Sequence, residues 1–294
     1  MKIIKRMFCL LLIFIILSTS LLGISLFVGY KKYDNVIYGE KVNNIMDIYI
    51  PKFTNDHENS GCVLFIHGGS WSSGDKKEED LRCRLVASNG YIAASMNYTL
   101  NNGSEEKYSV FNVLDEIDSA LLKLKEFALE KEIDINKVAI SGYSAGAHLS
   151  MLYSYSRFES SPIEIVFSAS MAGPSDISSD VWGENMAKRI GKLLVGLDVD
   201  AENNDFFITD DLLLSISPVS YINENTPPSL IMHGGKDNIV PIKNAESLIN
   251  KFNEYSVPYD YIYLKDSDHM LIQNPILHLK YLHTLIKYCK KYFV

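Results

Sequence analysis

The pentapeptide Gly142-Tyr143-Ser144-Ala145-Gly146 joins two regular elements through a very short turn. The apolar run Val138-Ala139-Ile140 before it predicts a buried strand, and the residues from Ala147 to Leu152 after it have helical spacing. A G-x-S-x-G sequence between a strand and a helix is typical of a nucleophile elbow, in which a strained turn exposes the serine Oγ. Glycine is needed on both sides because a Cβ at either position would clash. The pattern predicts that Ser144 is a nucleophile.

A second glycine-rich turn follows a predicted strand further upstream. The strand-like run at residues 62–66 leads directly into His67-Gly68-Gly69-Ser70-Trp71. Beside a nucleophile elbow, such a loop supplies backbone N–H groups to a developing oxyanion, together with the N–H of the residue after the nucleophile. The glycine pair alone would indicate only an ordinary turn, but the elbow downstream favours an oxyanion hole formed by Gly68, Gly69 and Ala145. We expect Ser70 and Trp71, together with Trp182 further along the chain, to contact the substrate.

Two further residues complete a triad in the chain order Ser, Asp, His. Asp237 lies just past the predicted strand at residues 229–232, and His269 follows the predicted strand at residues 259–264. This order is the one expected of α/β-hydrolases and differs from the orders on other triad folds. A serine hydroxyl is a weak nucleophile at neutral pH, so an imidazole must take its proton and a carboxylate must orient the imidazole. Asp266 and Asp268 are rival acids, for which we expect loop contacts instead.

The remaining histidines do not predict a metal site. No two of them have a metal-binding spacing, and the sequence contains no Cys-x-x-Cys. We expect His67 and His233 to bind loop backbone and His148 to be a satisfied core histidine behind the elbow. The sequence therefore predicts neither a metal nor any other cofactor.

Several segments together resemble the α/β-hydrolase esterases of the HGGxW group. They are Met46-Asp47-Ile48-Tyr49-Ile50-Pro51, His67-Gly68-Gly69-Ser70-Trp71, Met96-Asn97-Tyr98, the elbow, Ser217-Pro218-Val219 and the run from Pro227 to Gly234. That group is similar to the hormone-sensitive-lipase-like and feruloyl-esterase-like branches and to kynurenine formamidases. The resemblance extends from about residue 33 to the end. It implies carboxylesterase chemistry with Ser144, Asp237 and His269 as the triad.

The N-terminal segment carries a separate signal. Three basic residues within positions 2–6 precede an uncharged, mainly apolar stretch at residues 7–30, and Lys31 and Lys32 follow it. Eighteen or more apolar residues indicate a membrane span, whereas a secretory apolar region has about 7–15. We expect residues 1–32 to be a signal anchor that holds the protein in the membrane. Ser18 and Ser20 leave open the alternative, cleavage of a signal peptide and secretion; either way the catalytic domain is expected outside the cytoplasm.

The composition fits one globular catalytic domain at residues 33–294. The chain has 28 basic and 36 acidic residues, a formal net charge of −8, which argues against a nucleic-acid partner. The expected partners are a small-molecule ester substrate and, through the N-terminal segment, the membrane; the sequence does not specify the oligomeric state. Three of the four cysteines lie outside the N-terminal segment, at positions 62, 83 and 289; this odd number predicts no disulfide framework, although one bridge stays open.

Strand and helix patterns alternate along the chain, which is typical of a mainly parallel sheet with helices on both faces. The spacing predicts a helix over residues 110–129 and others beginning at Pro241 and at about Pro275. Residues 173–222 fit the alternation badly and predict a small cap or lid over the strand ends, where ligands bind in this topology. Its apolar residues could line a pocket or form the core of the cap; they are Trp182, Met186, Leu193, Leu194, Leu197, Phe206 and Phe207. Together these patterns predict an α/β-hydrolase fold.

The expected reaction is hydrolysis of a carboxylic ester, with short acyl groups favoured, through an acyl-enzyme on Ser144. An amidase or formamidase, or an acyltransferase, would use the same triad. A non-catalytic binding protein tethered to the membrane is the alternative from another class. The intact triad and oxyanion loop argue against it, because a protein without activity has no chemical reason to keep them.

Overall fold

The computed structural model describes residues 29–52, 60–103, 107–199, 208–271 and 275–293. Most of the predicted N-terminal span lies outside these residues, as do Phe206 and Phe207 of the predicted cap. None of the helices formed by the described residues is both long enough and apolar enough to cross a membrane.

Eight strands form a single sheet in the order β1-β2-β4-β3-β5-β6-β7-β8. The bounds are β1 Tyr30–Ile37, β2 Ile45–Pro51, β3 Ser60–Ile66, β4 Ile92–Met96, β5 Ile135–Tyr143, β6 Glu164–Met171, β7 Ser229–Gly234 and β8 Tyr259–Leu264. Strand β2 is antiparallel to both of its neighbours, β1 and β4, and all other neighbouring strands are parallel. The sheet is therefore mainly parallel, as predicted.

Helices connect the strands and cover both faces of the sheet. They are α1 Asp80–Ser88, α2 Val110–Leu129, α3 Ala145–Ser156, α4 Ser179–Trp182, α5 Glu184–Leu194, α6 Asp210–Ser215, α7 Lys243–Tyr255 and α8 Pro275–Tyr292. Successive residues of a strand point to opposite faces, so Leu64 of β3 packs in one core with residues of α2 and α3. Phe65 points the other way, into a second core with residues of α1 and α8. Burial on both faces explains the uninterrupted apolar runs of these strands.

The structure adds two elements that the sequence patterns did not predict. Strand β1 begins at Tyr30, so Lys31 and Lys32 belong to the sheet and pair with Ile50 and Tyr49 of β2. Helix α1 follows a short 3₁₀ turn, Lys76–Glu79. Asp75 and Glu78 form a capping box at the start of that turn, and this spacing was a readable helix signal.

Cys62, Cys83 and Cys289 are buried free thiols, so none of the three forms the bridge that was left open.

Residues 173–222, here called the insertion, contain α4, α5, α6 and a 3₁₀ turn, Pro218–Tyr221, within their described part. Leu194 of α5 and Leu213 of α6 are buried in the same core as α2 and α3. These side chains therefore pack inward as core, whereas Met186 is 47% exposed.

Candidate active site

Ser144 occupies the sharp turn between β5 and α3, with φ +54° and ψ −119°. This conformation costs a non-glycine residue about 1–3 kcal/mol, so the surrounding structure must enforce it. A Cβ at Gly142 would lie 2.3 Å from the carbonyl carbon and oxygen of Gly146, and a Cβ at Gly146 would lie 2.0 Å from the carbonyl oxygen of Ile66. The Ser144 N–H donates to the carbonyl of Met171 on β6, at 2.8 Å. Both glycines are therefore required sterically, as the motif predicted.

The structure brings Ser144, His269 and Asp237 together in one hydrogen-bonded line. His269 Nε2 lies 2.9 Å from Ser144 Oγ, and His269 Nδ1 lies 2.8 Å from Asp237 Oδ2. Because an ionised carboxylate only accepts hydrogen bonds, Nδ1 carries the ring proton and Nε2 is left free to accept the hydroxyl proton. The arrangement can therefore take a proton from Ser144 as its oxygen attacks an electrophile.

Asp237 is held as a buried anion. Its side chain is fully buried, and Oδ1 accepts hydrogen bonds from the N–H groups of Val240 at 2.8 Å and Ile239 at 2.9 Å. Burial alone would raise the pKa of this carboxyl, but the hydrogen bonds from His269 and from the two backbone N–H groups bring the pKa below its ordinary value. The carboxylate is therefore ionised at neutral pH and fixes the orientation and tautomer of His269.

The neighbouring histidines and acids have the supporting contacts that were expected. His233 Nε2 is 3.0 Å from the carbonyl of Val240, and His67 Nδ1 is 2.7 Å from the carbonyl of Gly68. Burial lowers the pKa of both rings. Asp266 pairs with Lys236 at 2.8 Å, and Asp268 accepts the N–H of Met270 at 3.0 Å. Neither of these two acids makes the carboxylate contact to His269, which belongs to Asp237.

Tyr143, the residue before Ser144, contacts the loop that carries His269 directly. Its hydroxyl donates to the backbone carbonyl of His269 at 2.9 Å, and its ring centroid lies 5.3 Å from that of the imidazole. Partial burial, followed by the nearby charge of Asp237, raises the pKa of the Tyr143 hydroxyl to about 12, so it stays protonated and keeps donating. Sequence reasoning missed this residue, since the middle positions of the elbow motif accept many side chains.

Residues 67–74, here called the oxyanion loop, leave β3 beside the elbow. A Cβ at Gly68 would lie 3.0 Å from the carbonyl oxygen of Tyr143 and 3.5 Å from Ser144 Cβ, so its backbone passes directly against Ser144. Gly69 has φ +111°, and a Cβ there would lie 2.1 Å from the carbonyl oxygen of Ser73. Gly68, Gly69 and Ala145 thus meet beside Ser144, and their roles as oxyanion donors stay predictions.

The three residues expected to contact substrate have different surroundings. Ser70 is exposed, and Trp71 is buried at 6% exposure with its indole Nε1 donating to His148 Nδ1 at 3.3 Å. Trp182, at the end of α4, is half-buried and donates to the carbonyl of Asp176 at 2.7 Å. Contact of these side chains with a substrate stays a prediction. Within the residues that the structure describes, no cluster of His, Cys, Asp and Glu side chains could hold a metal ion.

The sheet order and the positions of the three residues define the class of this protein. Ser144, Asp237 and His269 follow β5, β7 and β8, and the carboxyl ends of these parallel strands meet at one edge of the sheet. An eight-stranded sheet of this order, with a serine in a strained strand-to-helix turn after β5, is an α/β-hydrolase.

The chain belongs to the BD-FAE family, whose model matches residues 46–252. It is similar to Esterase LipC of Mycobacterium tuberculosis, with 21% identity over 237 residues that cover 77% of this chain and 56% of the relative. It is also similar to the probable carboxylic ester hydrolase LipM of the same organism, with 26% identity over 241 residues, 77% of this chain and 53% of the relative. The chain thus spans about half the length of these relatives.

A solved structure, a truncated form of a carbohydrate esterase from gut microbiota, superposes with a TM-score of 0.72 at 18% sequence identity. The superposition covers 91% of this chain and 98% of that one. At this identity the likeness concerns the fold. The family match and the relatives confirm the resemblance to α/β-hydrolase esterases that the sequence motifs indicated.

Proposed function

We propose that this protein is a carboxylic ester hydrolase that acts through an acyl-enzyme on Ser144. The observation that carries the proposal is the unbroken line of hydrogen bonds from Ser144 Oγ through His269 to the buried Asp237. An ester is the favoured substrate because two relatives that the chain matches, LipC and LipM, are named as an esterase and a probable carboxylic ester hydrolase.

In the proposed reaction, Ser144 Oγ attacks the ester carbonyl while its proton moves to His269 Nε2. Asp237, hydrogen-bonded to Nδ1, stabilises the imidazolium that forms. The N–H groups of Gly68, Gly69 and Ala145 hold the negative charge on the former carbonyl oxygen. The intermediate collapses with departure of the alcohol, which takes the proton from His269. Water then attacks the acyl-enzyme with His269 again as base, and Ser144 is released with the carboxylic acid product.

The preferred acyl group is proposed to be short. Support comes from the inward packing of the insertion, because Ala187 and Leu194 of α5 are fully buried in the main core. Apolar side chains used as core leave less surface for a long acyl chain beside Ser144. We further propose that the reaction takes place outside the cytoplasm at a membrane-anchored domain, on the charge and length of the N-terminal segment.

The test is turnover of p-nitrophenyl esters, from acetate to long acyl chains, by the full-length chain in detergent. Ser144→Ala should reduce kcat by about 10³-fold or more, and Asp237→Asn should reduce it by a similar order. Ser150→Ala is the matched control, because Ser150 lies on α3, the helix that follows Ser144, and its hydroxyl donates to the carbonyl of Ala147 at 2.9 Å. Its kcat should equal that of the wild type.

Each other outcome changes a defined part of the proposal. Ester turnover that survives Ser144→Ala would refute the nucleophile. Fastest cleavage of long chains would refute the short-acyl preference alone. Serine-dependent cleavage of small-acyl amides without ester cleavage would replace the esterase by an amidase, and transfer to an added alcohol in preference to water would replace it by an acyltransferase. No serine-dependent reaction with any of these substrates would favour the binding protein.

A further inference from the structure

The buried ring of His148 connects three parts of the active-site framework. His148 lies on α3, and its backbone N–H donates to the carbonyl of Ser144 at 3.0 Å, so it is one helical turn from the nucleophile. Its Nδ1 lies 3.3 Å from Trp71 Nε1 of the oxyanion loop. Its Nε2 lies 2.8 Å from the carbonyl oxygen of Ile216, in the insertion directly after α6. One side chain therefore contacts the loop and the insertion from the helix that carries Ser144.

Only one protonation state of His148 satisfies both contacts. The indole N–H of Trp71 can only donate, so Nδ1 of the imidazole must accept. The carbonyl of Ile216 can only accept, so Nε2 must carry the proton. Complete burial lowers the pKa of His148 to about 4, against a smaller opposing effect of the Ile216 carbonyl, so the ring is neutral at pH 7. The ring is thus a neutral bridge with a defined donor end and a defined acceptor end.

The oxyanion loop needs such a contact because its backbone is strained. Ser70 and Trp71 have φ +51° and +59°, two consecutive non-glycine residues in the left-handed region. Each costs roughly 1 kcal/mol or more relative to a relaxed backbone, so neighbouring contacts must hold the loop in this form. For Trp71 these contacts are the N–H of Asn101, which donates to its carbonyl at 2.8 Å, and the ring of His148, which meets the indole edge to face at 5.3 Å.

We propose that His148 is a positioning residue that keeps the oxyanion loop in register with the nucleophile. Gly68 lies three residues before Trp71 and passes against Ser144, so fixing the indole limits how far the Gly68 and Gly69 N–H groups can move from Ser144. The bond to Ile216 attaches the insertion to the same helix. This inference rests on the proposed function, because it assigns His148 to oxyanion stabilisation without contact to the substrate.

The experiment compares His148→Leu, His148→Gln and Trp71→Phe in the full-length chain, with the ester that the wild type cleaves fastest. His148→Leu removes both polar contacts and should lower kcat about tenfold or more with little change in KM, since oxyanion contacts act mainly in the transition state. His148→Gln offers an acceptor oxygen and a donor N–H on one planar group and should restore most of kcat. Trp71→Phe removes the indole N–H and should lower kcat as His148→Leu does.

A double-mutant cycle separates positioning from simple packing. If Trp71 and His148 act through one hydrogen bond, the Trp71→Phe/His148→Leu variant should lose little more kcat than either single variant. Unchanged kcat in His148→Leu, with only a lower Tm, would overturn the proposal, and so would His148→Gln with no better kcat than His148→Leu. If His148→Leu does not fold, Trp71→Phe decides, and wild-type kcat in Trp71→Phe would overturn the proposal. Ester turnover by Ser144→Ala at the wild-type rate would overturn the proposed function as well as this inference. Turnover that needs Ser144 but keeps its wild-type kcat in the His148 variants would overturn this inference alone.

Discussion

Gly146→Ala is a direct test of how closely the elbow is fitted to the oxyanion loop. The added Cβ would lie 2.0 Å from the carbonyl oxygen of Ile66 and 2.5 Å from that of His67, both backbone atoms at the end of β3. Close contacts between carbon and oxygen in proteins are about 3.3–3.6 Å. The start of α3 and the end of β3 must therefore separate by at least about 1.3 Å, because no flexible side chain is available to move instead.

Two opposing effects set the change in stability, and geometry sets the change in rate. Alanine favours a helix interior over glycine by about 1 kcal/mol, but overpacking costs about 1–3 kcal/mol, so the net loss of stability should be up to about 2 kcal/mol. Gly68 follows β3, whereas Ser144 directly precedes α3 and Ala145 begins it, so the separation widens the gap between the proposed nucleophile and the proposed oxyanion donors. A misplacement of about 1 Å can cost 10²-fold in rate, or about 2.7 kcal/mol. We expect kcat to fall about 10²-fold while the protein stays folded.

The assay is steady-state ester hydrolysis together with thermal unfolding of each variant. Gly61→Ala is the matched control, because Gly61 lies at the opposite end of β3 and a Cβ there would lie 2.0 Å from Cγ of the Phe293 ring. It should lower Tm without changing kcat by more than about twofold, since the affected side chain is remote from Ser144. Wild-type kcat in Gly146→Ala, or an equal loss of kcat in Gly61→Ala, would refute the reasoning.

Three further predictions concern the histidine loop and the buried acids. Tyr143→Phe removes the bond to the His269 carbonyl, worth about 1 kcal/mol. Because this bond holds the loop that carries His269, kcat should fall about fivefold and Tm by only a few degrees; equal kcat would contradict the role of this hydroxyl. Lys76→Met breaks the buried ion pair with Asp47, whose N–O distance is 2.6 Å, and should lower the free energy of unfolding by about 3 kcal/mol in urea unfolding. Adding Asp47→Asn should recover part of this loss, and a loss below about 1 kcal/mol in Lys76→Met would contradict the prediction. Burial alone would raise the pKa of Asp47, but hydrogen bonds from lysine side chains and from a backbone N–H outweigh it. The pKa of Asp47, like that of Asp237, therefore lies below the unfolded value of about 4. The stabilisation that these carboxylates provide is present above that value and is lost as the pH falls through the folded pKa. The urea concentration at the unfolding midpoint should therefore fall as the pH is lowered below about 4, and it should fall less steeply in Asp47→Asn than in the wild type. An equal slope in the two proteins would contradict the assignment to Asp47.

Local chemistry explains which elements could be predicted from the sequence. Both ends of α2 were predicted from the helical spacing of its apolar residues. The structure adds that Ser109 caps the first turn by accepting the N–H of Phe111. The elbow was predicted because glycine is the only residue without a Cβ, so steric exclusion is visible in the letters themselves. The chain order of Ser144, Asp237 and His269 needed only the positions of strand ends.

The contacts that were missed join residues far apart in the chain. Strand β1 has no regular alternation of buried and exposed residues, and its place depends on pairing with β2 and on Lys32, whose Nζ lies 3.0 Å from Asp47 Oδ2. His148 was predicted only as a satisfied core histidine, which the structure confirms. Its partners at positions 71 and 216 could not be identified, because no local pattern relates three distant positions before the fold brings them together.

The active-site framework divides into a part fixed by the sheet and a part fixed by side chains. Ile66 at the end of β3 lies opposite Gly142 near the end of β5, so hydrogen bonding between neighbouring strands brings the oxyanion loop and the elbow to the same level. Strand pairing cannot fix what happens beyond the last paired residue, where both turns adopt strained conformations. Beyond the paired residues, the hydrogen bonds of Tyr143 to the His269 carbonyl and of Trp71 to His148 connect these turns to their neighbours. Substitutions at these two side chains should therefore alter the rate more than the stability, whereas substitutions within β3 or β5 should do the reverse.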